Sequence, residues 1–151
     1  LSKWQIIGGK YLASLIIVVI ALLPTLMYVF TIKSLSTGGI DGGGIAGAYI
    51  GLVFLSAAFT AIGICCSSFT NNAVVAFLSS AFACFILYNG FTTISGIPSL
   101  QGGWDYFIEM IGINFHYRSL SRGAVDSRDM IYFLSIIVLF LFITRKKLLN
   151  R

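Results

Sequence analysis

The residues that could do chemistry in this chain are few, and their spacing fits no common catalytic pattern. A phosphate-binding loop needs a glycine, four residues, then Gly-Lys and Ser or Thr. Gly9-Lys10 is the one Gly-Lys pair, but Tyr11 follows it and Trp4 stands where the first glycine belongs. Cys65, Cys66 and Cys84 have no histidine at a metal-ligand spacing. Adjacent cysteines are poorly placed to bond to each other, so all three read as small apolar residues. His116 is the single histidine, and among aromatic neighbours it reads as interfacial packing. Ser14, Ser56, Ser79 and Ser80 fall in apolar runs with no base beside them, which disfavours a serine nucleophile. The expectation is therefore a chain that is not an enzyme, with no catalytic residue, cofactor or metal of its own.

The elements that carry these residues are set by hydropathy. The chain has 151 residues, 58% hydrophobic and 10% charged, with a mean hydropathy of +0.94. A soluble domain is nearer 25% charged, so a water-soluble enzyme and a disordered chain are both disfavoured. Tyr11 to Ile32 carries no charge, and about 1.5 Å per residue makes that run about 33 Å long, against about 30 Å of hydrocarbon. No charge occurs between Asp41 and Asp105, room for two crossings. The polar stretch Cys66 to Asn72 divides them into about Ile45–Cys65 and about Ala73–Ile94. A final run from Met130 to Thr144 is short for a span, but Arg128 and Arg145 can snorkel and Asp126 can cap an added turn. The expected fold is all-α: a polytopic transmembrane helical bundle with spans at about 11–32, 45–66, 73–94 and 128–145 and an external loop at about 95–127.

Four spans place both termini on one side, with Lys3, Lys10, Arg145, Lys146, Lys147 and Arg151. Lys33, Arg118, Arg122, Arg128 and all five acids fall on the other. Arg145-Lys146-Lys147 directly after a span predicts cytoplasmic termini. The net charge of +5 then belongs to span flanks, which argues against a nucleic-acid partner.

Local signals refine the picture. Ser2 and Gln5 form a capping box, with Leu1 and Ile6 at the staple positions. Trp4 is placed at headgroup level and Lys3 in water. Pro24 kinks the first span and is a candidate hinge. Gly39, Gly43, Gly47 and Gly51 recur every four residues, a small-residue stripe for close packing against a helix of this chain or of a dimer mate. Trp104, Phe107, Ile108 and Ile111 make one apolar face of a short helix that lies in the interface or dips back into the membrane. Asp126 caps the last span, with Asp129 near the positive end of its dipole. No acid or base lies inside any of the four apolar runs, which disfavours a proton relay or an aspartyl protease.

Ser2 to Leu12 (Ser-Lys-Trp-Gln-Ile-Ile-Gly-Gly-Lys-Tyr-Leu) resembles the segment entering the third helix of type-2 ABC exporter permeases. Ser67-Ser68-Phe69-Thr70-Asn71-Asn72 resembles their turn between the fourth and fifth helices. Phe115 to Tyr132, with Ser119-Leu120-Ser121-Arg122-Gly123 and Asp126-Ser127-Arg128-Asp129, is similar to permease subunits of gliding-motility-associated ABC transporters. The resemblance covers essentially the whole chain. It implies the last four of six transmembrane helices of a permease in a bacterial inner membrane, two helices preceding Leu1. It also implies a second permease subunit and a separate cytoplasmic ATPase that binds ATP and magnesium. Ser2, Lys3, Trp4, Gln5 and Lys10 would then be the ATPase-coupling segment. The stretch from about Pro98 to Gly123 would match external re-entrant helices, with Trp104, Phe107, Arg118, Arg122 and Asp126 as candidate residues of the external loop. A membrane scaffold that anchors a motility or secretion machine without moving solute is the alternative.

Overall fold

The computed structural model describes residues 2–100 and 102–150, and all regular structure among them is helical. Leu1 of the expected staple and Arg151 of the basic flank lie outside the described residues. Helix α1 runs Lys3–Leu22. Its capping box forms as the sequence predicts: Gln5 N–H donates to Ser2 Oγ at 3.3 Å, and Ser2 N–H donates to Gln5 Oε1 at 2.8 Å.

Pro24 has no N–H to continue the ladder. Leu26 and Met27 instead donate to the carbonyls of Leu23 and Pro24, both at 3.1 Å, and the chain restarts as α2, Thr25–Leu35. Together α1 and α2 extend the first span from the expected 11–32 to Lys3–Leu35. Polar residues beyond the hydrocarbon simply carry the helix onward.

Asp41 accepts from Gly43 N–H at 3.1 Å and starts α3, Gly42–Phe69. This helix passes through Cys66–Phe69, so the turn is confined to Thr70–Asn72, shorter than the sequence suggested. Asn72 Oδ1 accepts from Val74 and Val75 N–H and opens α4, Ala73–Phe85. The same span continues through a π turn, Ile86–Gly90, into α5, Phe91–Ser95. A short 3-10 turn at Pro98–Leu100 leads to α6, Trp104–Ile111, and α7, Ile113–Ser121. Asp126 Oδ1 accepts from Arg128 N–H and caps α8, Ser127–Leu149. That cap, with basic residues inside the last turn, lengthens the fourth span well past the apolar run Met130–Thr144.

Among the described residues, four helical segments are long and apolar enough to cross a bilayer. The core lies where α3, α7 and α8 meet: Ala57, Ala58, Ala61 and Ile62 pack with Ile113, Leu120, Phe133 and Ile137. The alanines of α3 let neighbouring backbones approach closely, and dispersion between tight surfaces replaces a hydrophobic drive that lipid cannot supply. The outer faces are apolar, with Phe30 and Phe77 exposed by 72% and 71%. Lipid is the solvent that tolerates this, whereas water would drive such a surface to aggregate.

Candidate functional site: a histidine–aspartate pair beside an arginine-rimmed pocket

At the end of the bundle opposite the termini, α7 packs on α3 and the start of α8, and α6 packs on α5 and α7. Gly47 and Gly51 make this possible. A Cβ on Gly47 would collide with the backbone of Gly123, and one on Gly51 would come within 3.0 Å of Leu120 Cβ. Gly123 has φ +82°, and a Cβ there would lie 2.8 Å from Gly44 Cα. So Gly47 and Gly51 pack against α7 and its exit turn, within this chain. Gly43 does not share that packing through its own Cβ position, which faces only Asp41 Oδ1 at 3.4 Å. Gly39 has open space around it.

The close approach seats α7 so that His116 is buried, with 7% exposure. Its Nδ1 lies 2.6 Å from Asp129 Oδ1 on α8, and its Nε2 lies 2.9 Å from the Met110 carbonyl on α6. The ring stacks on Tyr132 with centroids 3.8 Å apart. Tyr132 Oη donates to the Ile111 carbonyl. One histidine and one tyrosine thus tie α6, α7 and α8 together.

The geometry sets the proton count. The Met110 carbonyl can only accept, so Nε2 must carry a hydrogen. Nδ1 then either donates to a carboxylate or accepts from a protonated carboxyl. The pair holds two protons in both forms and has no net charge, which suits a buried position. Asp129 Oδ2 is buried without a hydrogen-bond partner among the described residues.

His116 is therefore more than aromatic packing, and Asp129 does more than complement a helix dipole. The sequence reading missed the pair because its members stand in different elements. The available signal was an acid in the first turn of a span with a histidine in the loop before it.

Beside the pair is a pocket of about 570 Å³, rimmed by Arg118, Arg122 and Arg128 with Glu109, Asp126 and Tyr106. Arg118 pairs with Glu109 at 3.5 Å across partly exposed positions, a weak contact. Arg122 and Arg128 make no ion pair among the described residues. Tyr117, behind this wall, has its phenol pushed above its ordinary range by burial and then by the neighbouring Tyr88, and it stays neutral. Trp104 and Phe107 on α6 are exposed, with their rings tilted by 54° and 6.4 Å between centroids. The apolar face of α6 is thus turned outward.

The second cluster lies at the end with the termini. Lys3 Nζ donates to the Leu148 carbonyl at 2.5 Å, and the Arg145 guanidinium sits 4.8 Å over the Trp4 ring. Lys147 lies over Phe69 at 5.0 Å, so α8 also meets the end of α3. Lys10 lines a cavity of about 270 Å³ with Ile7, Ser67, Ser68, Thr144 and Leu148. The structure brings Lys3, Trp4 and Lys10 to the end of α8, while Ser2 and Gln5 serve the cap. Pro24 lies away from both clusters. It has Thr25 as its neighbour, whose hydroxyl meets Tyr49 Oη at 2.9 Å. Ser14, Ser56, Ser79 and Ser80 each donate to a carbonyl of their own helix.

No family model, curated protein or solved structure matches the chain.

Proposed function

We propose that this chain is part of the membrane-spanning permease subunit of an ATP-driven exporter of the type-2 ABC class, with ATP bound and hydrolysed on a separate cytoplasmic partner. The observation that carries the reading is the tie between the first turn of α1 and the last turns of α8, made by Lys3 with Leu148 and Trp4 with Arg145. A force applied at the start of α1 reaches α8 directly. At its far end α8 holds Asp129 and Tyr132, which grip α7 and α6. A stiff helix of about 34 Å joins the two clusters, so displacement at one surface shifts the short helices at the other.

In this reading the termini are cytoplasmic, the membrane is a bacterial inner membrane, and a second permease subunit completes the pathway. The short paired helices α6 and α7, placed before the final span, support it, as does the basic run that ends α8. Gliding motility is the process suggested by the likeness of Phe115 to Tyr132. The test uses the full-length protein reconstituted with the ATPase subunit that this reading requires. Trp4→Ala should retain assembly with the ATPase and lower nucleotide-driven export several-fold. Unchanged export at normal expression overturns the coupling. Full biological function with a hydrolysis-dead ATPase identifies a scaffold instead.

A further inference from the structure

We propose that the outer face of α6 and α8 is a binding site for one anionic phospholipid, its phosphate on Arg122 and Arg128 and an acyl chain along α8. Three concave surfaces join to make it. The arginine-rimmed pocket shares Met110, His116 and Arg128 with an apolar groove of about 620 Å³. That groove is walled by Phe107, Ile111, Ile131 and Tyr132. Ile131 then leads into a further apolar trough of about 550 Å³, formed by Leu134, Val138, Leu139 and Phe142.

The composition changes in the order an amphiphile requires. Charge lies at the top, next to the helix cap, and the lower track is almost wholly carbon. From Arg128 to Ile143 the track is about 22 Å long, more than half of a hydrocarbon core of about 30 Å, so it covers one leaflet. Arg128 stands at the junction, where a phosphate and the root of its acyl chain would meet. Arg122 and Arg128 have no carboxylate partner among the described residues, and guanidinium groups match phosphate oxygens two at a time. Of the pocket's acids, Glu109 faces Arg118, Asp129 Oδ1 meets His116, and Asp126 Oδ1 accepts at the α8 cap, so none pairs with Arg122 or Arg128 among the described residues. The site stands independently of the transport reading.

The test is native mass spectrometry of the delipidated full-length protein, titrated with dioleoyl phosphatidylglycerol or dioleoyl phosphatidylcholine. Phosphatidylglycerol should bind more tightly, and Arg122→Gln and Arg128→Gln should each lose about fivefold of that preference. Lys3→Gln with Lys146→Gln, at the other end of the bundle, should keep it. Soluble glycerol phosphate should not displace the lipid. In a second measurement on the unaltered protein, phosphatidylglycerol with a photoreactive acyl chain should label the Ile131–Phe142 segment above the α4 segment around Phe77. The phosphatidylcholine analogue should show no such bias. Equal affinity for the two lipids, arginine variants that match the unaltered protein, displacement by glycerol phosphate, or unbiased labelling each overturns the site. If the arginine variants do not fold, the labelling decides.

Discussion

His116 Nδ1 and Asp129 Oδ1 are 2.6 Å apart in a buried contact between α7 and the first turn of α8. Each residue makes the other's burial tolerable. Removing one leaves the second polar and dry, a loss of about 3–5 kcal/mol for a buried pair.

His116→Ala and Asp129→Ala should therefore each lower the melting temperature strongly in detergent. The double change His116→Ala with Asp129→Ala should cost less than the sum of the two single losses, because neither side chain is then left unpaired against the other. A thermal-melt double-mutant cycle measures this. Additive losses would mean that the two side chains do not act as a pair.

The glycine stripe gives a graded prediction. Gly47→Ala should destabilise by about 1–3 kcal/mol or abolish folding, since the new methyl meets the Gly123 backbone. Gly123→Ala should be similarly costly, for the same contact and for its φ of +82°. Gly63→Ala, with nothing within 4 Å, should be neutral or stabilising. Thermal melts of the three variants check the order.

Trp4 and Arg145 are expected to couple by about 0.5–1 kcal/mol, the usual worth of an exposed cation–π contact. Trp4→Leu and Arg145→Gln, singly and together, should give that interaction energy in a stability cycle. Arg145→Lys should keep part of it. A coupling of zero would take the Trp4–Arg145 contact out of the link between α1 and α8 and leave Lys3 with Leu148 as its remaining tie.

The amino-acid order by itself determined the four spans, the caps at Ser2 and Asp126, and the apolar face of α6, whereas the caps at Asp41 and Asn72 emerged only with the structure. The spans, the Ser2 and Asp126 caps and the α6 face depend on neighbours a few residues apart. Hydrophobic length decides what crosses a bilayer, and Ser2, Gln5 and Asp126 satisfy donors within their own first turns. Even so, the ends of α3 and α8 ran beyond the apolar runs, because a helix continues past hydrocarbon until a cap or turn stops it. Only the tertiary structure decided that Gly47 faces Gly123, that His116 meets Asp129, and that Trp4 lies under Arg145. Those partners come from helices whose relative rotation and depth are set by close packing of the whole bundle, and no local pattern along the chain encodes that rotation.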